Sequence, residues 1–437
     1  MKATKSPAAP VAVSNPAIGG PSLLAKLGIW ALFAVILIIA PMIFNKGAAL
    51  SILCQTGTLI IFALSYNMLL GQGGMLSFGH AVYSGLGAFF AIHAINLASK
   101  GAMPIPLPLI PLVGGLAGLC FGILFGYVTT KKSGTTFAMI TLGICELVYS
   151  MSLMFPEFFG GEGGVEGNRQ IGKFLGFTFG PQIQVYYLIA FWLFVSTIGM
   201  YAFTQTPLGR IINAVRDNPE RVEFIGYDTQ WVRYMTLALS AFFAGISGGL
   251  GAINFEIVSA ENVGVARSGM VLLFTYMGGA GVFFGPIIGA IVGIFMTVML
   301  SDITKAWQLY VGALFIIIVL YAPGGISGVI MRNVRVMKYG KFARVLPSLL
   351  AVSVTALVAT VGAIMLIEMA FHRTLEASSG TEMSLMGYTV DTAAPMGWVL
   401  GGAILLIGML GFRLVLGAFQ KAWGDVNTEI EDQIAKA

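Results

Sequence analysis

Charged side chains are scarce in this sequence: Asp, Glu, Lys and Arg make up 10% of its 437 residues, against about 25% in soluble domains. Hydrophobic residues make up 57%, and apolar runs of about 20 residues, long enough to cross a bilayer core of about 30 Å, recur along the chain. This composition excludes a soluble globular protein. We therefore predict an all-α polytopic membrane protein.

Cysteine is also scarce, and the three cysteines fall inside apolar segments at spacings that match no metal motif. The sequence has no Ser–His–Asp order, no H-E-x-x-H and no CxxC. Lys follows Gly only in Gly172-Lys173 and Gly340-Lys341, and neither pair has the upstream spacing of a nucleotide-binding loop. We therefore expect no catalytic site, metal or cofactor in this chain, and any ATP hydrolysis must occur on another one.

Twelve apolar segments divide the chain, and one of them, Ser268–Gly281, is too short to cross a bilayer without help. We predict four regions: a disordered cytoplasmic tail over residues 1–22, a core over 23–335, an extension with two further spans over 336–419, and an acidic cytoplasmic tail over 420–437. The predicted segments are Leu23–Phe44, Leu50–Leu70, Phe78–Ala98, Ile105–Thr130, Thr135–Phe155, Ile183–Phe203, Tyr234–Phe255, Ser268–Gly281, Gly285–Leu300, Trp307–Pro323, Leu346–Phe371 and Gly397–Phe419.

Lysine and arginine are distributed unevenly between the connecting segments. With both termini in the cytoplasm, sixteen of the twenty-four fall on the inner side and seven on the outer side, with Arg413 inside the last span. Positive residues accumulate on the cytoplasmic side of membrane proteins, so we predict that both termini are inside. This bias accounts for the net charge of +5 without a nucleic-acid partner. The basic run Arg332–Arg344 would lie against anionic membrane lipid head groups.

Glycines interrupt the apolar stretch Ser65–Ala91 at Gly71–Gly74. A broken membrane helix leaves backbone groups unpaired, and such groups are tolerated only inside the protein or beside a watery cavity. Broken helices mark the substrate site in many transporters, so we predict that polar residues of this stretch line a substrate pathway. The alternative is a tight cytoplasmic turn between two ordinary spans. The candidate residues are Asn67, Gln72, Ser77 and His80.

The stretch Ser268–Leu300 is broken in a similar way. Glycines interrupt it at positions 278, 279 and 281, and Gly285-Pro286 begins a new helix. Two broken segments at matching places in two halves are typical of internally duplicated transporters. Only the glycines repeat, so the sequence leaves duplication open.

Glu146 lies near the middle of the apolar segment Thr135–Phe155. A charged carboxylate facing lipid is unfavourable by about 2.5–3.5 kcal/mol on insertion scales, so we expect Glu146 to face the interior of the bundle. It is either a residue of the substrate pathway or a structural residue bonded to a neighbouring helix.

The predicted inner loop Gln205–Arg233 contains two short helices. Leu208, Ile211, Ile212 and Val215 have the spacing of one helical face. Asp217-Asn218-Pro219 ends that helix, and a second helix runs from Pro219 to Gly226. Two amphipathic helices outside the membrane need a cover for their apolar faces, which is either the head-group layer or a cytoplasmic protein.

Several motifs occur together in one order. NMLLGQGGMLSFGH begins at Asn67, FAMITLGICEL at Phe137, PLGRIINAVRDNPERVEFIG at Pro207, GGAGVFFGPIIGA at Gly278 and APGGISG at Ala322. Over about residues 23–335 the chain resembles the LivM-like permease subunits of bacterial ABC importers for branched-chain amino acids. The region beyond about Met337 extends past the usual end of that family.

The resemblance implies a transporter of the bacterial inner membrane with separate subunits. A second, LivH-like permease would complete the pathway, two cytoplasmic ATPases would dock beneath, and a periplasmic binding protein would deliver the substrate. The loop Gln205–Arg233 would then couple to the ATPase, with its apolar face in a groove of that subunit. The coupling residues that the resemblance implies are Pro207, Gly209, Arg210, Ala214, Arg216, Glu220 and Gly226.

Two functions therefore remain in competition. The first is a permease subunit of an ATP-driven importer for branched-chain or related amino acids. The second is an ion-coupled secondary transporter that acts without an ATPase and uses Glu146 as its ion site. Relatives of the broader group carry urea, amides or aromatic acids, and the candidate pathway residues do not choose among these substrates.

Overall fold

The structure is a computed structural model, and it describes residues 23–44, 46–102, 104–172, 176–375, 380–385 and 388–436. The predicted tail over residues 1–22 lies outside the described residues. The described residues form two compact units, one from Leu37 to Arg332 and one from Asn333 onward together with the described residues up to Ile36.

Helices account for most of the described structure, which confirms the predicted all-α class. They are α1 (Leu23–Ile43), α2 (Gly47–Asn67), α3 (His80–Ser99), α4 (Ile110–Thr129), α5 (Gly134–Met154), α6 (Pro156–Phe159), α7 (Gln182–Gln205), α8 (Pro207–Asp217), α9 (Pro219–Phe224), α10 (Thr229–Phe255), α11 (Val265–Gly278), α12 (Gly285–Ile294), α13 (Trp307–Tyr321), α14 (Gly325–Lys338), α15 (Phe342–Leu375) and α16 (Pro395–Lys436). A π-helical turn follows α2 at Met68–Gln72 and another follows α12 at Phe295–Met299.

Each of the twelve predicted apolar segments is helical. Among the described residues, eight helices are long and apolar enough to cross a membrane, or nine if α13 and α14, which meet at 46°, form one bent span. The segment predicted to be too short is α11, with 14 residues.

The core of the Leu37–Arg332 unit is built where α10 crosses α3 and α4. Small residues let these backbones approach closely, because a side chain at the crossing would separate them. A Cβ atom at Gly248 of α10 would overlap the carbonyl oxygen of Ser84 on α3, and one at Gly245 would overlap that of Gly114 on α4. Buried hydroxyls add polar contacts, since Ser240 of α10 donates to the Ser65 carbonyl at 2.6 Å.

The glycine-rich segment after α6 is tied to the helix bundle. Strand β1 (Val165–Glu166) pairs antiparallel with β2 (Ile257–Val258). Beside this pair, the guanidinium of Arg169 donates to the carbonyls of Asn254 and Gly180 and to Gln182. These bonds place the segment beside the end of α10.

In the C-terminal unit, α15 and α16 form an antiparallel hairpin, joined by a region that contains the strands β3 (Glu382–Leu385) and β4 (Tyr388–Asp391). Glycines mediate the contact, because a Cβ atom at Gly408 would overlap the backbone of Ala359. The predicted acidic tail continues α16 as helix. There Glu429 accepts from Lys341 at 2.6 Å and from Arg344 at 3.2 Å.

Candidate functional site

A cavity of about 750 Å³ opens in the Leu37–Arg332 unit, between α2, α5, α10, α11 and α12. Three charged side chains line it: Glu146 of α5, Glu261 in the 3₁₀ turn Ala260–Val263, and Arg267 in the first turn of α11. Apolar side chains form most of the remaining wall, among them Phe62 and Met270. The cavity therefore combines both signs of charge with apolar surface, which is a common composition for a small-molecule site.

Glu146 is the predicted pathway residue that lies on this cavity. Its neighbour Cys145 is buried, and the Cys145 thiol contacts the Val263 carbonyl at 3.2 Å. This contact lies where α5 packs on the 3₁₀ turn Ala260–Val263, and the next residue, Glu146, is exposed and lines the cavity.

His80 is instead packed inside the bundle. Its Nε2 lies 3.0 Å from the Ser65 hydroxyl, and its ring contacts Phe62, Tyr66 and Tyr83 with centroid distances of 5.5, 5.2 and 5.9 Å. His80 is fully buried and does not line the cavity.

Asn67 and Ser77 are also buried on either side of the break in the first interrupted segment. The Ser77 carbonyl accepts from the Tyr66 hydroxyl at 2.9 Å, and the Ser77 hydroxyl accepts from the Gly79 amide at 3.3 Å. These bonds satisfy backbone groups that the break leaves free. The Oδ1 of Asn67 accepts no hydrogen bond among the described residues.

The two predicted breaks are present, and they meet in space. The first helix gives way to a π-helical turn and then to non-helical backbone until His80. The second break begins at Gly279, whose φ of +111° is one that a side chain would strain. A Cβ atom at Gly71 would overlap the Ala280 carbonyl, and one at Gly279 would overlap that of Gly324. Three of the motifs that carry the family resemblance therefore converge at one place.

The short helices α8 and α9 extend this convergence point. Each has a side-chain cap at its start: Thr206 accepts from the Gly209 amide at 3.2 Å, and Asn218 accepts from the Arg221 amide at 3.0 Å. Pro207 and Pro219 occupy the first turns, where proline is tolerated. The break between the helices at Asn218 confirms the one predicted from the sequence.

The apolar face of these helices is covered by the chain itself. Ile212 is 0% exposed, and Val215 and Val222 are 2% exposed. The expectation that this face occupies a groove on another subunit is therefore wrong, because the face is already buried against the permease bundle. The side chains that remain outward are different ones: Phe224 is 90% exposed and Ile225 is 72% exposed.

Two hydrogen bonds join α8 to the first break. Arg216 donates from its guanidinium to the Gly71 carbonyl, and Asn213 donates from its side-chain amide to Gln72 at 2.9 Å. Gln72, predicted as a pathway residue, thus contacts α8. Of the coupling residues that the resemblance implies, Gly209 is buried and the others are exposed: Pro207, Arg210, Ala214, Arg216, Glu220 and Gly226.

Comparison with known proteins places these features in one family. The family described as "Branched-chain amino acid transport system / permease component" matches residues 48–321. The high-affinity branched-chain amino acid transport system permease protein LivM of Escherichia coli is 26% identical over an alignment of 336 residues that covers 71% of this chain and 77% of that protein. The chain belongs to this family.

Other relatives of this permease are named for different substrates. The ribose import permease protein RbsC of Haemophilus influenzae is 22% identical over 306 residues, covering 67% of this chain and 89% of that protein. The autoinducer 2 import system permease protein LsrC of Salmonella typhimurium is 24% identical over 303 residues, covering 66% and 83%. No solved structure matches the chain. The resemblance to LivM-like permeases is thus confirmed, and the chain is a multi-pass membrane permease.

Sequence reasoning missed several residues of this permease that the structure makes prominent. Arg267 and Glu261 lie near the ends of apolar segments, where charges are ordinary, and only the fold brings them beside Glu146. Phe224 and Ile225 were detectable in principle, since they are adjacent large apolar residues in a polar loop. Among the described residues, no three His, Cys, Asp or Glu side chains come together as a metal site would require.

Proposed function

We propose that this chain is the permease subunit of an ATP-driven importer that moves branched-chain or related amino acids from the periplasm to the cytoplasm of a bacterial cell. Both termini lie in the cytoplasm in this arrangement, which the distribution of Lys and Arg supports. A LivH-like permease, two ATPases and a periplasmic binding protein complete the transporter. The family match over residues 48–321 is the observation that carries this proposal.

The structure supports a coupling role for the segment from Gln205 to Arg233. Helices α8 and α9 are packed on the permease by their apolar face, and Arg216 and Asn213 connect α8 to the break at Gly71–Gln72. A push on these helices would therefore be transmitted to the interrupted segment rather than absorbed by a flexible loop. Their outward side offers Arg210, Phe224 and Ile225 to an ATPase.

The amino acid class of the substrate rests on the names of the relatives and on the charges of the cavity. LivM proteins are named for branched-chain amino acids, and RbsC and LsrC for ribose and autoinducer 2. A cavity for an amino acid needs groups that receive a carboxylate and an ammonium, and Arg267 and Glu146 supply both signs.

We expect the double substitution Phe224→Ser and Ile225→Ser to weaken ATPase binding about tenfold or more, because large exposed apolar side chains at the centre of an interface contribute much of its binding energy. The measurement is the amount of ATPase that copurifies with the tagged permease in detergent. Phe177→Ser serves as the matched control, since Phe177 is also exposed but lies in the segment before α7. Undiminished copurification would remove these two residues from the docking surface.

The competing function, an ion-coupled carrier, predicts that the chain alone can move amino acid against its gradient. Under our proposal, vesicles that contain only this permease accumulate no amino acid against its gradient, and uptake requires ATP and the other subunits. Uphill uptake by the chain alone, abolished by Glu146→Gln, would replace the importer with a carrier that uses Glu146 as its ion site.

A further inference from the structure

Arg267 is the one arginine on the wall of the 750 Å³ cavity among the described residues. Its guanidinium donates to the Oδ1 of Asn262, and its Cζ lies 5.7 Å from the centroid of the Phe62 ring. No carboxylate of the described residues lies within ion-pair distance of it. A guanidinium has five N–H donors in a planar fork, so most of its hydrogen-bonding capacity is not used by the described protein.

The surroundings of Arg267 hold its head group in place. Asn262 belongs to the turn that precedes α11, so this bond closes a local loop. Phe62 of α2 stacks on His80, with centroids 5.5 Å apart and ring planes 11° apart. The His80 ring is in turn held by a hydrogen bond with Ser65. The buried His80, which lies outside the cavity, therefore has a structural role in supporting Phe62. Arg267 is therefore prepositioned, which lowers the entropic cost of binding a ligand.

A charged group beside so much apolar surface is costly without a partner. Arginine is also the side chain whose geometry best matches a carboxylate, because its fork can donate two parallel hydrogen bonds. The cavity thus presents a fixed carboxylate receptor that no carboxylate of the described residues fills.

The other charges on the cavity wall have the opposite sign. Glu146 and Glu261 both line it, and neither pairs with Arg267. Phe62, Met270 and Phe274 supply apolar wall beside them. A ligand with one carboxylate, one ammonium and an apolar side chain uses all three kinds of surface, whereas a neutral sugar would leave the charges unpaired.

We propose that this cavity binds the amino acid zwitterion in transit, with Arg267 receiving its carboxylate and the acidic wall of Glu146 and Glu261 favouring its ammonium. This inference rests on the proposed function and adds the step that the permease itself recognises charge, in addition to any selection by a binding protein. Arg267 is then a substrate-binding residue of the pathway rather than a charged residue that only stabilises the fold.

Protection of a reporter thiol tests the carboxylate requirement without ATP or a binding protein. In the assembled transporter that carries Met270→Cys, with the exposed Cys120 replaced by Ser, a small neutral thiol reagent labels the cavity. We expect tens of millimolar L-leucine to slow labelling about tenfold, by occupancy of the site. Isoamylamine, which has the same side chain and amine but no carboxylate, should leave the rate unchanged. Equal protection by both compounds, or none by leucine, overturns the inference.

Uptake by the complete transporter in vesicles gives the second readout. We expect Arg267→Gln to lower leucine uptake about ten- to hundredfold, which is the effect of losing hydrogen bonds to a charged group. Arg267→Lys should lower uptake less, because lysine keeps the positive charge but lacks the planar guanidinium that donates two parallel hydrogen bonds. Arg413→Gln, an exposed arginine of α16, is the matched control and should transport normally. Copurified ATPase reports whether each variant assembles.

The two proposals fail in different ways. If the unmodified transporter shows no ATP-dependent uptake, the proposed function fails. If it transports but Arg267→Gln matches its rate, only the role of Arg267 fails. Should Arg267→Gln not assemble, Arg267→Lys and the labelling comparison, in which Arg267 is native, decide the matter.

Discussion

Replacing Gly248 by alanine should destabilise the permease more than any other single methyl addition on α10. A Cβ atom there would overlap the Ser84 carbonyl oxygen and crowd the Ala88 amide nitrogen, both in the backbone of α3. Neither helix can relieve this overlap by a change of rotamer, so α10 and α3 must separate along a buried crossing. We expect a loss of about 3 kcal/mol, the upper part of the range for overpacking, seen as a fall in Tm of roughly 3–5 °C for the purified protein in detergent.

Gly251→Ala provides the matched control for this substitution. It lies one turn further along the same helix, and a Cβ atom there would meet nothing within 4 Å. Because alanine favours helix over glycine by about 1 kcal/mol, its Tm should stay equal or rise slightly. If both variants melt at the same temperature, the crossing of α10 and α3 is looser than described.

The positions of the helices could be predicted from the sequence because the signal is local. Each span is a run of apolar residues, and each break is marked by glycines within a few residues of it, as at Gly71–Gly74. The contact between the breaks could not be predicted in this way. Gly71 and Ala280 are more than two hundred positions apart, and neither has a side chain that reveals its partner.

Helices α8 and α9 show a second limit of what the sequence pattern can predict. The spacing of Ile212 and Val215 establishes that one face of α8 is buried, and the structure confirms this. The spacing does not say which molecule covers the face. The sequence leaves the head-group layer and a protein as alternatives, and the family resemblance implies a partner subunit. The permease bundle supplies the cover instead, which leaves Phe224 and Ile225 as the exposed apolar surface.

The charged residues of the cavity could be predicted only in part from the sequence. Glu146 could be singled out because a carboxylate within an apolar span is unusual. Arg267 gave no such signal, since it stands near the start of a short apolar segment, where charges are common. Its importance comes from its partly buried position beside Phe62 and from the lack of an ion pair with any carboxylate of the described residues, both of which are properties of the folded chain.

Replacing Arg216 by glutamine should uncouple ATP hydrolysis from transport. The Arg216 guanidinium donates to the Gly71 carbonyl, a backbone group that the break has released from helical pairing. Its other partner, Asp217, is its exposed neighbour in sequence, and that ion pair contributes little to stability. Losing a charge-assisted bond costs about 1.5–3 kcal/mol, part of which water replaces here. We therefore expect leucine uptake to fall about tenfold while the ATPase rate of the purified complex is maintained.

Arg221→Gln separates this effect from a general loss of positive charge on α8 and α9. Arg221 is exposed on α9, where its backbone amide, rather than its guanidinium, bonds to Asn218. Its substitution should leave both uptake and ATPase rate unchanged. If Arg216→Gln instead releases the ATPase from the complex, Arg216 belongs to the docking surface and does not transmit movement. If uptake stays at the native rate, the motion reaches the break by another contact. The hydrogen bond from Asn213 to Gln72 is the remaining hydrogen bond between the described residues of α8 and that π-helical turn.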